Sequence, residues 1–160
     1  MNNKMIRYVL SNILKLEAVF MIVPLILSIY YQEKTLVSLA HLFTILLLIG
    51  TAYLLSKKQP ENVQIFAKEG LFIVAFSWLA LSFFGALPFV ISREIPSFVD
   101  AFFEVVSGFT TTGASILSNV EALSHSLLYW RSFTHFVGGM GVLVLALAIL
   151  PKNNNQSLHI

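Results

Sequence analysis

The stretch SGFTTTGASIL, residues 107–117, is rich in hydroxyl-bearing and glycine residues and separates two strongly apolar parts of the chain. A helix satisfies its own backbone hydrogen bonds in lipid, whereas an irregular strip does not. Such a strip at membrane depth is therefore tolerated only where it is buried in protein or lines a water-filled cavity. The sequence on either side decides whether the strip lies at that depth.

The composition predicts an integral membrane protein. Of the 160 residues, 57% are hydrophobic and only 11% are charged, too few to cover a protein surface in water. The lipid bilayer is thus an expected partner. The absence of cysteine excludes disulfides and cysteine-ligated metal sites. A formal charge of +2 is too small to indicate binding to nucleic acid.

Four apolar segments are long enough to cross a bilayer as helices, which takes roughly 20 residues. They are 9–31, 36–55, 71–91 and 127–150. The predicted fold is therefore all-α. Lys15 and Glu17 interrupt the first segment, so we expect them near an interface or in a protein contact.

The distribution of lysine and arginine predicts the orientation, because cytoplasmic loops are enriched in them. With the N-terminus inside, seven of the ten basic residues are cytoplasmic and three are outside. We therefore expect both termini in the cytoplasm. The cytoplasmic set is Lys4, Arg7, Lys15, Lys57, Lys58, Lys68 and Lys152, and the outer set is Lys34, Arg93 and Arg131.

A short helix precedes the strip. Ser97 after Pro96 is a good N-cap with an acid, Asp100, three residues on, and 98–107 has helical content for about three turns before Gly108 ends it. A helix of that length covers only about half of the bilayer. We expect the chain to dip into the membrane from the outer side and return.

A half-helix followed by a polar strip is typical of ion and substrate paths in membranes. Inward-facing carbonyl groups of the strip could replace the water around a cation, and the C-terminal end of the half-helix would favour positive charge there. We expect Gly113 to adopt a positive φ, which glycine enters freely. The alternative is a threonine-rich connector between two helices, with no ion path.

The sequences DAFFEVVSGFTTTGASIL and YWRSFTHFVGGMGVLVLALAILP resemble the first pore unit of the superfamily of potassium uptake proteins that includes TrkH, TrkG and KtrB, most closely the TrkH/TrkG branch. The resemblance covers nearly the whole chain. It implies two N-terminal transmembrane helices (1–66), one helix, pore-loop, helix unit (67–151) and a polar tail (152–160).

The resemblance also implies function. The backbone carbonyls of Thr110, Thr111 and Thr112, with Gly113, would form one quarter of a potassium selectivity filter, with Thr111 and Thr112 the surest contacts. Potassium would be the transported substrate, with no cofactor and no enzymatic activity. A cytoplasmic nucleotide-binding regulator of the TrkA kind would be the partner, and the cell inner membrane the location.

Family members have four such units, whereas FTTTG occurs once in this sequence. The sequence therefore predicts an N-terminal fragment that does not conduct alone. Two alternatives stay open: a non-conducting membrane assembly or regulatory protein, and a homotetramer around one pore. An intramembrane hydrolase using Ser126 with His125 or His135 is a distant third, since neighbouring helix positions do not face each other.

Several further residues have structural interpretations. Gly138, Gly139 and Gly141 indicate a close helix-packing face. Glu104 is the candidate ion-pair partner of Arg131, because either charge would be costly in lipid without a partner. We expect His41 to be a hydrogen bonder in helix packing, and the spacing of His125 and His135 does not favour a metal site.

Overall fold

The computed structural model describes residues 3–56 and 67–149 of the chain. Within them the regular structure is entirely helical, which confirms the predicted fold class. The α-helices are α1 (Asn3–Phe20), α2 (Ile22–Tyr30), α3 (Thr35–Ser56), α4 (Ala67–Ile91), α5 (Phe98–Phe109) and α6 (His125–Ile149). A single 3₁₀ turn, Val120–Ala122, lies between α5 and α6.

The first crossing begins earlier than predicted and is broken once. It extends over Lys4–Tyr30, with a turn at Met21 between α1 and α2. Pro24 accounts for the break, because proline has no amide hydrogen to donate to the carbonyl four residues earlier. The backbone continues in helical geometry, since Met21 N still donates to Glu17 O at 2.9 Å.

The described residues contain three helices that are long and apolar enough to cross a membrane: Lys4–Tyr30, Thr35–Ser56 and Gly70–Ile91. The helix α6 has 25 residues, but its side chains beyond Gly141 lie outside the described part. The fourth crossing therefore stays a prediction. The predicted cytoplasmic loop at Lys57 and Lys58 and the polar tail also lie outside the described residues.

The half-helix α5 packs between α4 and α6. The predicted N-cap is confirmed, because the Ser97 side chain accepts a hydrogen bond from Asp100 N. The predicted end was wrong by two residues: α5 continues to Phe109 and Gly108 lies inside it. Its 12 residues have a length of roughly 18 Å, well short of the hydrocarbon core.

Trp130 links α6 to α4. The indole is 1% exposed, and its Nε1 donates to Gly85 O of α4 at 3.0 Å. Burial of an aromatic ring with its polar atom satisfied contributes packing without an unpaired donor. The helix α1 packs mainly on α3 and also contacts α4, which joins the N-terminal helices to the group formed by α4, α5 and α6.

Candidate functional site

The strip that follows α5, residues 110–116, turns sharply at two residues. Thr111 has a φ of 56° and Gly113 a φ of 75°, both in the left-handed region. The expectation that Gly113 adopts positive φ is confirmed. The second such residue, Thr111, was not predicted, because threonine rarely adopts this conformation.

The amide groups of the strip point back to the end of α5. Four successive N–H groups bond to carbonyls of its last turns, which satisfies acceptors that a helix end otherwise leaves free. The strip and the helix end thus form one hydrogen-bonded body. The bonds run from Thr110 N to Val106 O (2.9 Å), from Thr111 N to Gly108 O (2.9 Å), and from Thr112 N (3.0 Å) and Gly113 N (3.5 Å) to Ser107 O.

The carbonyl groups of the strip are used differently. Thr110 O accepts the hydroxyl of Thr111 at 2.7 Å. No donor among the described residues bonds to the carbonyl oxygens of Thr111, Thr112 or Gly113. Residues 110–116 are exposed in this chain, so these oxygens belong to an open polar face.

The carboxylate of Glu104 binds the C-terminal end of the strip. Its Oε1 accepts the hydroxyl of Ser115 at 2.5 Å and the backbone amide of Ile116 at 2.6 Å. Ser107 adds a hydrogen bond from its hydroxyl to Ala114 O at 2.6 Å. The segment after Gly113 is therefore tied to α5 by side chains of α5, whereas the segment before it is tied by its own backbone amides and by the Thr110 hydroxyl, which donates to Val106 O at 2.7 Å.

The predicted pairing of Glu104 with Arg131 is confirmed. Arg131 Nε lies 2.9 Å from Glu104 Oε2, with the glutamate side chain fully buried and the arginine side chain 15% exposed. A buried charge in a membrane protein is tolerated when it has such a partner. The pair fixes α6 to α5 directly behind the strip.

The glycines of α6 divide into two that pack and one that does not. A Cβ on Gly138 would collide with Phe109 O and lie 2.8 Å from Gly108 O, and a Cβ on Gly141 would lie 2.9 Å from the Trp78 ring. A Cβ on Gly139 would meet Thr111 Cγ2 at an ordinary 3.8 Å. The predicted packing face is confirmed at Gly138 and Gly141 and wrong at Gly139.

Gly108 of α5 is likewise packed closely against α6. A Cβ there would collide with Thr134 Oγ1 of α6. This contact explains why a glycine lies inside α5: it allows close approach to α6 and does not end the helix. The two helices therefore cross at the last turn of α5, immediately before the strip.

The sequence analysis missed how the N-terminus of α6 is capped. Glu33 Oε1 accepts Ser126 N at 3.0 Å, and its Oε2 accepts the Ser126 hydroxyl at 2.5 Å. Glu94 Oε2 accepts Ser124 N at 2.9 Å. Two acids from separate loops thus satisfy the free amides and face the positive end of the helix. We name Glu33 and Glu94 the capping carboxylates.

These contacts bear on the remaining candidates. Ser126 is 0% exposed and bonded to Glu33, which does not favour a nucleophile. The rings of His125 and Tyr31 have centroids 4.4 Å apart, and His135 Nδ1 lies 2.9 Å from Arg131 O. His41 Nδ1 lies 2.9 Å from Val37 O of its own helix. Across the ranges described, no group of three metal-binding side chains occurs.

Comparison with known proteins identifies the family of this arrangement. The TrkH family profile, whose description is cation transport protein, matches residues 37–160. The chain belongs to the TrkH family. The crystal structure of the potassium transporter TrkH from Vibrio parahaemolyticus matches 94% of this chain with a TM-score of 0.85 and 31% sequence identity.

Two relatives are similar to this chain over most of the chain's length. An uncharacterized cation transporter of Methanocaldococcus jannaschii is 35% identical over 92% of the chain. The Trk system potassium uptake protein TrkG of Escherichia coli is 38% identical over 85% of it. The chain spans 31% and 28% of the lengths of these relatives and 32% of the Vibrio structure. The TrkH family is one of membrane transporters, not of enzymes.

Proposed function

We propose that the chain is the N-terminal part of a Trk-type potassium uptake protein and that the carbonyl groups of Thr110, Thr111, Thr112 and Gly113 form one quarter of its filter. The observation that carries this proposal is the orientation of the strip. Its amides bond to α5, while the carbonyls of Thr111, Thr112 and Gly113 have no donor among the described residues. Carbonyls of this kind replace the hydration shell of a cation.

The electrostatics around the strip support a monovalent cation. The C-terminal end of α5 has a partial negative charge of roughly half a unit, directed toward the strip. Glu104 does not add a full charge, because Arg131 pairs with it at 2.9 Å. The strip therefore offers dipoles and no net carboxylate charge, which suits an ion that loses its water readily.

The open face of residues 110–116 supports the division into quarters. One strip supplies oxygens on one side of an ion only, so three further strips are needed to complete a ring. The relatives are about three times as long as this chain. Within the proposal, 1–66 is the N-terminal two-helix segment, 67–151 the first pore unit and 152–160 a polar tail.

The test of this function uses a chimera in which the matching N-terminal part of E. coli TrkG is replaced by this chain. We expect the chimera to restore potassium uptake in a strain that lacks its own uptake systems. The 160-residue chain alone, at matched abundance, should not. A chimera without uptake despite normal abundance would contradict the proposal and favour a non-conducting assembly or regulatory protein.

Uptake by the chain alone would contradict the quarter assignment if the chain is a monomer. If the conducting species were a tetramer, the homotetrameric arrangement would replace the single-chain one. Crosslinking and size measurement in lipid nanodiscs distinguish the two states. Each result therefore selects one of the three arrangements.

The proposal also includes location and a partner. The chain lies in the cell inner membrane with both termini in the cytoplasm, and a nucleotide-binding protein of the TrkA kind binds on that side. The chain contains no cysteine, so single cysteines can be introduced at Lys58 and Arg93. Impermeant reagents should label Arg93→Cys from outside and Lys58→Cys only after permeabilisation. Labelling of both from one side would contradict the orientation.

A further inference from the structure

Glu17 is a buried acid with no role in the strip. It lies near the end of α1 and is 2% exposed. Neither of its side-chain oxygens has a hydrogen-bond partner among the described residues. Its Oε1 lies against α4, because a methyl group built on Gly85 would be 3.4 Å away. An unpaired polar group at such a position needs a physical explanation.

Glu17 lines a pocket of about 50 Å³ at the junction of α1, α4, α5 and α6. The other lining side chains are aliphatic or aromatic and include Phe20, Phe109 and Trp130. The wall of the pocket is entirely apolar, so the carboxyl oxygens of Glu17 do not open onto it and gain no hydrogen bonds there.

The described helices around Glu17 do not offer it a cation. Between Gly70 and Ile91, α4 has no ionisable side chain, and Asp100 lies at the opposite end of α5. Lys15 is exposed, and His41 Nδ1 bonds within α3, while His41 Nε2 has no hydrogen-bond partner among the described residues and so does not bond to Glu17.

The ionisable groups of α5 and α6 nearest the strip are already paired. Arg131 bonds to Glu104, and His135 bonds to Arg131 O. An ionised Glu17 would therefore be an unpaired buried charge, which costs several kcal/mol.

We propose that Glu17 is a proton-binding site, occupied at neutral pH, between the N-terminal helix and the pore unit. Loss of the proton converts the carboxyl group to a carboxylate and transfers the proton to water of the surrounding solution. The site adjoins Phe109, the last residue of α5 before the strip. Proton release would thus place a charge directly behind the half-helix and weaken the docking of α1.

The first test is infrared spectroscopy of the full 160-residue chain in lipid nanodiscs. Ordinary carboxyl groups are ionised at about pH 7, because their pKa values lie near about 4. We expect a protonated-carboxyl carbonyl band at neutral pH that is lost in Glu17→Gln. The band should persist in Glu121→Gln, which changes an exposed acid. Absence of the band, or a band unaffected by Glu17→Gln, would overturn the proposal.

The second test measures stability against pH. If a proton occupies Glu17 in the folded chain at neutral pH, the folded state loses stability relative to the unfolded state as the pH rises. The unfolded chain releases this proton near the ordinary carboxyl pKa of about 4, so we expect the unfolding midpoint of wild type, relative to that of Glu17→Gln, to fall as the pH rises from about 5 to 7. Parallel curves would contradict the site. Both tests are independent of transport, so they can fail while the filter proposal stands. If Glu17→Gln does not fold, Glu17→Asp, which keeps the acid and should shift the band, takes its place.

Discussion

The turn at the end of α2 and the turn at the end of α5 have the same pattern of backbone hydrogen bonds, but their side chains make different contacts. In each, a non-glycine residue of positive φ donates to the carbonyl three residues earlier: Gln32 to Ile29 and Thr111 to Gly108. The backbone amide of the next residue donates to the carbonyl five residues earlier: Glu33 N to Ser28 O and Thr112 N to Ser107 O.

The side chains after each turn determine its use. After α2, the side chain of Glu33 reaches Ser126 and caps α6. After α5, the side chains are threonines, and the carbonyls of Thr111 and Thr112 have no donor among the described residues. One helix-ending motif thus either supplies an acceptor to a neighbouring helix or leaves its own acceptors open. Substitutions at and around the two turns can test that difference.

The largest effect is expected when the strip loses its support. Glu104→Ala leaves Arg131 partly buried without its partner and releases Ser115 and Ile116. We expect a loss of about 3–5 kcal/mol in the free energy of unfolding, measured by denaturant titration in micelles. Glu121→Ala, at an exposed acid, should change it by less than about 0.5 kcal/mol. Equal effects would show that the support is unimportant.

A smaller effect should separate two adjacent glycines. Gly138→Ala places a methyl against Phe109 O and should destabilise the chain by about 1–3 kcal/mol. Gly139→Ala meets Thr111 Cγ2 at 3.8 Å and should be neutral or stabilising by up to about 1 kcal/mol. The same titration measures both. A loss at Gly139 equal to that at Gly138 would contradict the described crossing of α5 and α6.

The third effect concerns ion discrimination. In the TrkG chimera, Gly113→Ser forces a side chain onto a φ of 75°, which costs about 1–2 kcal/mol and disturbs the carbonyls. We expect weaker preference for rubidium over sodium uptake at matched abundance. Thr111→Ser, which retains the carbonyl and a hydroxyl, should be milder. An unchanged preference in Gly113→Ser, with a change in Thr111→Ser, would exclude Gly113 as the filter glycine.

The smallest effect is expected at the turn after α2. Gln32 has a φ of 50° and is exposed, so Gln32→Gly removes backbone strain without removing a buried contact. The strain relieved exceeds the extra entropy of glycine by about 0.5 kcal/mol, and we expect a stabilisation of that size. Gln32→Ala, which keeps the strain, is the control. Stabilisation by alanine alone would contradict this account of the turn.

The sequence predicted the features that depend on local composition or on strong energetic needs. Long apolar segments predicted the helices, Ser97 predicted the start of α5, and the cost of a charge in lipid predicted the pairing of Glu104 with Arg131. Gly113 was predicted at a positive φ because glycine enters that region most readily. The role of the strip carbonyls stays a prediction.

The features that sequence reasoning missed depend on contacts between distant residues. From the sequence, Gly108 is predicted to end the helix, but the structure explains this glycine by its close contact with Thr134 of α6. The positive φ of Thr111 is imposed by the bonds at the end of α5. No local pattern links Glu33 to Ser126, which lie 93 positions apart.

That last separation has a consequence for how the chain enters the membrane. Glu33 precedes α3, Glu94 follows α4, and both bond to residues at the start of α6. The cap can form only when all three segments emerge on the same face of the bilayer. Because α3, α4 and α5 lie between Glu33 and Ser126 in the sequence, Glu33 has no capping partner until these three helices have been synthesised. A chain in which one helix inserted backwards would leave the two capping carboxylates and the start of α6 unpaired, so these bonds favour a single arrangement of the helices.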